Sequence, residues 1–148
     1  MPSLEKRGCD HIFFVGFLGA GKSTLARNLG HMFNRRYVDT DRLVERRAGK
    51  TVTQIFESDG EASFRILETK VLESLSSCRS LLVSCGGGIV ETPRNIELIH
   101  ELGYCVYLDG DIDDSLRQIR RSDTRPDFRS ESHAADLLRH RRPLYQQA

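Results

Sequence analysis

The chain has 148 residues, 39% of them hydrophobic, which is enough for one domain with a buried core. Its 22 basic and 21 acidic residues nearly balance, so no global charge favours nucleic acid or a membrane surface. Only four of the basic residues are lysines and the other 18 are arginines, the side chain that binds carboxylates and phosphates bidentately. The composition therefore favours local sites for anionic ligands.

The four cysteines form no CxxC pair and have no zinc-ligand spacing with histidine, and we interpret them as reduced, mostly buried thiols. The N-terminus is charged, and no segment approaches the roughly 18 apolar residues of a membrane span. We therefore expect a cytoplasmic protein that binds neither nucleic acid nor membrane.

Apolar runs of strand length alternate with helical patterns along the chain, which is typical of an α/β protein. The strand candidates are nearly continuous apolar runs, as in parallel strands covered by helices on both faces. They are HIFFV (11–15), YVD (37–39), LLVS (81–84) and YCVYL (104–108). The helical patterns cover 25–33, 53–75, 96–102 and 116–119. With no linker visible, we predict a single domain over residues 1–148.

The segment GFLGAGKS, residues 16–23, follows the first strand and opens the first helix, and it fits the P-loop pattern GxxxxGK[ST]. Its glycines let successive backbone N–H groups point at one anion, and the positive end of the helix adds to this. Lys22 is expected to reach the β and γ phosphates, and the Ser23 hydroxyl to bind Mg²⁺. Because no NKxD-like segment is present, the sequence favours an ATP site over a switch GTPase.

Two carboxylates, Asp39 and Asp41, lie at the carboxyl end of the second strand, the edge where open α/β sheets bind ligands. Asp39 is in position to hold Mg²⁺ through water, and Asp41 to accept a hydrogen bond from an attacking hydroxyl. The alternative for Asp41 is structural, as the N-cap of the helix DRLVERR.

Three later segments offer candidates for binding the phosphate acceptor. Glu68 lies three residues after Arg65 and can fix its guanidinium for a ligand carboxylate, although an ordinary surface salt bridge has the same pattern. The glycines at 86–88 indicate that a ligand or a tight turn approaches the backbone closely. The polar stretch at about 120–133 has the length of a lid, and it shares an arginine surplus with RHRRPLY at 139–145.

Together these segments resemble the shikimate kinases, P-loop enzymes that use ATP to phosphorylate the 3-hydroxyl of shikimate in aromatic amino acid biosynthesis. The resemblance runs from Ile12 to Tyr145 and rests on GFLGAGKST, VDTD, FESDGEASFR, CGGG, TRP and RRPLY, in that order. It implies a three-layer P-loop kinase fold with a central parallel sheet flanked by helices. It also implies Mg²⁺ as cofactor, and ATP and shikimate as ligands.

The resemblance also implies roles for particular residues. Those that hold ATP are Gly19, Ala20, Gly21, Lys22, Ser23, Thr24 and Arg125, with Ser23 and Asp39 for the metal. Those that bind shikimate are Asp41, Arg65, Gly86, Gly87, Gly88 and Arg141. The two shikimate-binding arginines would clamp the carboxylate, while Arg125 closes with the lid on the transferring phosphoryl group. The predicted catalytic residues are Lys22, Asp41 and Arg125.

Two departures from the family pattern affect these expectations. Family lids usually read RPLL, but here Asp127 and Phe128 follow the lid arginine and proline. This difference is expected to bring a carboxylate near the phosphate site. Family members also continue beyond the position of Ala148 through a strand, an adenine-contacting loop and a helix, which leaves Arg120 or Arg121 to stack on adenine. We expect YCVYL to lie at a sheet edge. If a chain of this length is complete, we expect a monomer. The alternative is that it is a piece of a longer kinase or that it associates through that edge, and we then expect weaker ATP binding than in a full-length relative.

Two other functions stay open from the sequence. A P-loop kinase for another carboxylated polyol, such as gluconate, would also use two arginines, but GEASFR, CGGG and RRPLY together favour shikimate. A truncated, catalytically weak shikimate- or nucleotide-binding protein is the second alternative. Retention of every predicted catalytic residue favours the enzyme.

Overall fold

A computed structural model describes residues 9–16, 22–108 and 131–148 of the chain. The strands in these ranges are β1 (His11–Gly16), β2 (Tyr37–Asp39), β3 (Leu82–Ser84) and β4 (Gly103–Leu108). The helices are α1 (Lys22–Phe33), α2 (Thr40–Ala48), α3 (Val52–Ser58), α4 (Glu61–Ser74), α5 (Pro93–Leu102) and α6 (Glu131–Gln147). Two short 3₁₀ helices follow α4 and precede α5, at Leu75–Ser77 and Ile89–Glu91.

The four strands form one parallel sheet in the order β2-β3-β1-β4. The carboxyl ends of β1, β2 and β3 therefore lie at the same edge, and the P-loop sequence, Asp39 and the glycine triplet all follow from it. Within the described ranges β4 is an edge strand, and its Tyr104 and Val106 side chains are exposed. No helix among these residues has the length and apolar character needed to cross a membrane.

Alternation along β1 sends its side chains into two separate cores, because successive residues of a strand face opposite sides of a sheet. Phe13 packs in the larger core with Leu72 of α4 and Ile99 of α5, whereas Phe14 packs with Ala26 of α1 on the other face. Helices therefore cover both faces, and the predicted three-layer arrangement around a parallel sheet is confirmed.

The helical pattern predicted over 53–75 is two helices in the structure. α3 ends at Ser58, and Gly60 has a φ of 87°, a conformation that side chains disfavour, before α4 begins at Glu61. Val44, Ile55 and Phe64 then pack α2, α3 and α4 together. This turn sets the direction of α4, which carries the predicted arginine. The helical pattern predicted at 116–119 lies outside the described residues.

Candidate active site

The helix that follows β2 begins on Asp39 and not on Asp41. Asp39 Oδ1 accepts hydrogen bonds from the backbone N–H groups of Asp41, at 2.9 Å, and Arg42, at 3.3 Å. The alternative assignment of Asp41 as the helix cap is therefore wrong, because capping belongs to the residue two positions earlier. Asp41 lies in the first turn of α2 with its side chain largely buried.

The glycine triplet Gly86–Gly88 is approached by protein side chains. A Cβ atom added at Gly86 would lie 2.5 Å from Asp41 Oδ1, and one added at Gly88 would lie 2.5 Å from Arg65 Nη1. The Gly86 N–H also donates to Thr40 Oγ1 at 2.9 Å. A side chain at either position would displace the carboxylate or the guanidinium, so the glycines let Asp41 and Arg65 lie directly against one stretch of backbone.

Arg65 is fixed by two carboxylates of its own helix. Its Nη1 donates to Glu68 Oε1 at 3.2 Å, and its Nη2 donates to Glu61 Oε1 at 3.1 Å. The Arg65 side chain is 14% exposed and that of Glu68 is fully buried, so the interpretation as an ordinary surface salt bridge is wrong. The Arg65 Nε–H is buried without a partner among the described residues, and such a donor is expected to gain one from ligand or water.

Glu68 lies at the centre of a charged cluster. Burial raises the pKa of Glu68 to about 7, and the carboxylate of Asp41 acts in the same direction. The positive charges of Arg65 and Arg141 act against this rise. Side chains from α2, α4 and α6 are therefore close enough to influence one buried carboxyl group.

Changing Glu68 to glutamine should alter how stability depends on pH. A carboxyl group whose pKa is raised on folding stabilises the protein below its ordinary pKa of 4.5, and this contribution is lost as the pH rises through about 7. Between about pH 5 and pH 8, the free energy of unfolding of wild type should therefore fall by on the order of 2 kcal/mol relative to Glu68→Gln. Urea unfolding of both proteins at the two pH values measures this difference. A parallel dependence on pH would show that Glu68 is ionised throughout.

Arg141 is held from α6 by Glu91, a residue that the sequence analysis did not single out. The buried Arg141 donates from Nε to Glu91 Oε1 at 3.0 Å, and His140 Nε2 lies 3.3 Å from Glu91 Oε2. Although burial acts to raise the pKa of Glu91, hydrogen bonds and charge from Arg141 and His140 outweigh it and lower that pKa. Glu91 and Arg141 are 50 residues apart, so no local pattern could have paired them.

The described structure thus brings one part of the predicted site together and leaves the other outside. Asp41 of α2 and Arg65 of α4 lie against Gly86 and Gly88. Arg141 is on α6, from which Tyr145 reaches Gly87, and its charge acts on Glu68. Thr24 is exposed on α1, near the helix start at Lys22. Gly19, Ala20, Gly21, Arg125 and the side chains of Lys22 and Ser23 lie outside the described residues, so their roles stay predictions.

The sheet is parallel, a P-loop sequence joins β1 to α1, and charged side chains suited to a phosphate acceptor follow β2. Together these features define a P-loop kinase of the small-molecule class. The shikimate kinase family model matches residues 18–148, and the chain belongs to this family. A shikimate kinase from Acinetobacter baylyi is 40% identical over 148 residues, covering 98% of this chain and 82% of that protein.

Solved structures agree with this assignment. A shikimate kinase from Acinetobacter baumannii in complex with shikimate superposes with a TM-score of 0.89 at 36% identity, over 99% of this chain and 83% of that one. A gluconokinase from Sinorhizobium meliloti reaches a TM-score of 0.55 at 19% identity, over 90% of this chain and 75% of that one. The second likeness extends to the fold alone.

Proposed function

We propose that this enzyme transfers the γ-phosphoryl group of ATP to the 3-hydroxyl of shikimate, giving shikimate 3-phosphate. Membership of the shikimate kinase family supports this, as does likeness to a relative solved with shikimate bound. The observation that carries the proposal is the approach of Asp41 and Arg65 to the glycine triplet, with the charge of Arg141 acting on the Glu68 carboxyl that Arg65 binds. A carboxylated polyol needs these groups, because two guanidinium forks bind its carboxylate and one carboxylate orients a hydroxyl.

The acceptor would lie against Gly86–Gly88, with its carboxylate toward Arg65 and Arg141. Both arginines are held by acidic neighbours, Glu68 and Glu91, so their direction is set before substrate arrives. Asp41 would accept a hydrogen bond from the reacting hydroxyl and take its proton late in the transfer. Catalysis by these groups consists mainly of positioning, which is what a loose phosphoryl-transfer transition state requires.

On the nucleotide side, we assign the P-loop backbone and Lys22 to the phosphates of ATP. Arg125 would neutralise charge on the transferring group, as arginine fingers do. A cytoplasmic location remains our prediction from the sequence. So does the oligomeric state, which we predict to be a monomer if the chain is complete, with association through the edge strand as the alternative.

The metal in this proposal is Mg²⁺, held by Ser23 and Asp39. Asp39 has the chemistry for this role, because it ends β2 at the carboxyl edge of the sheet and carboxylate oxygens are the ligands that Mg²⁺ prefers. Its Oδ1 accepts the hydrogen bonds that cap α2, and its Oδ2 accepts one from the Tyr37 hydroxyl at 3.4 Å. Bound there with ATP, the ion would neutralise charge on the β and γ phosphates.

Release of ADP by this chain should require both shikimate and Mg²⁺. We expect turnover with ATP and shikimate, none above background with gluconate or without acceptor, and loss of turnover when EDTA removes the metal. A coupled ADP assay over these acceptors measures this, and phosphorus NMR of the product identifies the hydroxyl that is phosphorylated.

The same assay distinguishes the alternatives. Turnover with gluconate and not with shikimate would indicate a different small-molecule kinase. Binding of shikimate and ATP in calorimetry without any turnover would indicate a catalytically silent binding protein.

A further inference from the structure

Tyr145, on α6, is a buried tyrosine whose hydroxyl reaches the glycine triplet. Its side chain is 1% exposed, and its ring stacks on Tyr107 of β4 with the ring centroids 5.4 Å apart. The hydroxyl donates a hydrogen bond to the backbone carbonyl of Gly87, 58 residues away in the chain. The stacking fixes the ring, and the ring directs the hydroxyl at one carbonyl oxygen.

Gly87 is the middle residue of the segment that touches both Asp41 and Arg65 through its two neighbours. The segment has a second attachment at Gly86, whose N–H donates to Thr40 Oγ1. One hydrogen bond therefore ties the triplet to α2 and another ties it to α6. The triplet is therefore held at two points, the peptide that precedes Gly86 and the peptide that follows Gly87, which limits how far it can move.

Arg141 lies four residues before Tyr145, on the same side of α6. Burial raises the pKa of the Tyr145 hydroxyl, and the charge and hydrogen bonding of Arg141 act against that rise, so the guanidinium lies beside the same hydroxyl. Glu91 holds Arg141 through Nε. The Tyr145 hydroxyl thus binds the Gly87 carbonyl and is close enough to Arg141 to feel its charge.

We propose that Tyr145 is a positioning residue for the acceptor, whose hydroxyl fixes Arg141 and the Gly87 carbonyl relative to each other. The carboxylate clamp and the backbone surface under the acceptor ring are then aligned before shikimate binds. This inference rests on the proposed function, since it concerns that same acceptor site. Tyr145 itself touches no reacting atom and acts through Arg141 and Gly87.

The test is Tyr145→Phe, which keeps the stacked ring and removes the hydroxyl. We expect KM for shikimate to rise about 5- to 20-fold, because the partly buried Gly87 carbonyl loses its donor and Arg141 loses a neighbour that fixes it. We expect kcat to change less than about threefold and KM for ATP to stay within about twofold of wild type. Calorimetry of shikimate binding without ATP should show the same loss.

Tyr107→Phe is the matched control, since it removes a hydroxyl from the other ring of the stacked pair, and we expect wild-type constants for it. Thermal unfolding of both variants is measured in parallel. If Tyr145→Phe does not fold, 4-fluorophenylalanine at position 145 fills the space of the hydroxyl without donating a hydrogen bond, and an unchanged KM for shikimate there would overturn the proposal.

Two other results would also overturn it. The first is a wild-type KM for shikimate in Tyr145→Phe. The second is an equal impairment of kcat and of both KM values together with a lower melting temperature, because that pattern indicates a structural role only. A wild-type enzyme that neither binds nor phosphorylates shikimate would overturn this inference and the proposed function together, whereas wild-type turnover with an unaffected variant would overturn only the inference.

Discussion

Replacing Asp41 with asparagine is expected to lower kcat for shikimate phosphorylation by at least about 100-fold while leaving ATP affinity nearly unchanged. The amide has nearly the volume of the carboxylate, so it can take the same place beside Gly86. It lacks the negative charge that, in the proposed mechanism, orients the reacting hydroxyl and receives its proton. Steady-state kinetics with shikimate, together with calorimetry for ATP, measure the two effects separately.

Asp59→Asn provides the control for this variant. Asp59 is a half-exposed carboxylate that pairs with Lys50 at 2.9 Å, away from the triplet, and the same chemical change there should leave the rate unchanged. Thermal unfolding of both variants distinguishes loss of charge from loss of fold. Wild-type turnover by Asp41→Asn would remove Asp41 from the mechanism.

The fold could be predicted from local patterns, because a parallel sheet covered on both faces needs continuous apolar strands, and these are visible one segment at a time. The break at Gly60 was missed for the opposite reason. The apolar spacing continues on both sides of it, and only the positive φ at this glycine separates α3 from α4. Periodicity reports which faces are apolar and is insensitive to a single turn between two helices that share a core.

The candidate site was predicted where its residues stand in short motifs, and it was missed where they act across the chain. Arg65 and Glu68 are one helical turn apart, so their pairing could be anticipated, although not the burial that gives Glu68 its raised pKa. No local pattern indicated a role for Glu91, because its partner Arg141 lies on α6, far away in the sequence. The glycine triplet was predicted in part. Its composition indicated that some group lies close to the backbone there, but not that the groups are Asp41 and Arg65.

Changing Arg65 or Arg141 to lysine should raise KM for shikimate by about 10- to 100-fold, which corresponds to the roughly 1.5 to 3 kcal/mol of a hydrogen bond to a charged group. Lysine keeps the charge and loses the planar fork, so it cannot serve its acidic neighbour and a ligand carboxylate at once. Arg65 already directs Nη1 to Glu68 and Nη2 to Glu61, and Arg141 directs Nε to Glu91. ATP affinity should stay near that of wild type, since both side chains belong to the acceptor side.

Arg94→Lys is the matched control for these two variants. Arg94 also binds two carboxylates, those of Glu97 at 3.1 Å and Glu101 at 3.3 Å, but it is half-exposed on α5, and we expect wild-type constants. The comparison therefore separates the effect of losing a guanidinium at the acceptor site from the general effect of an arginine-to-lysine substitution. If Arg65→Lys or Arg141→Lys weakened ATP binding and left KM for shikimate unchanged, that arginine would belong to the nucleotide site. The carboxylate clamp would then have to be built from other residues.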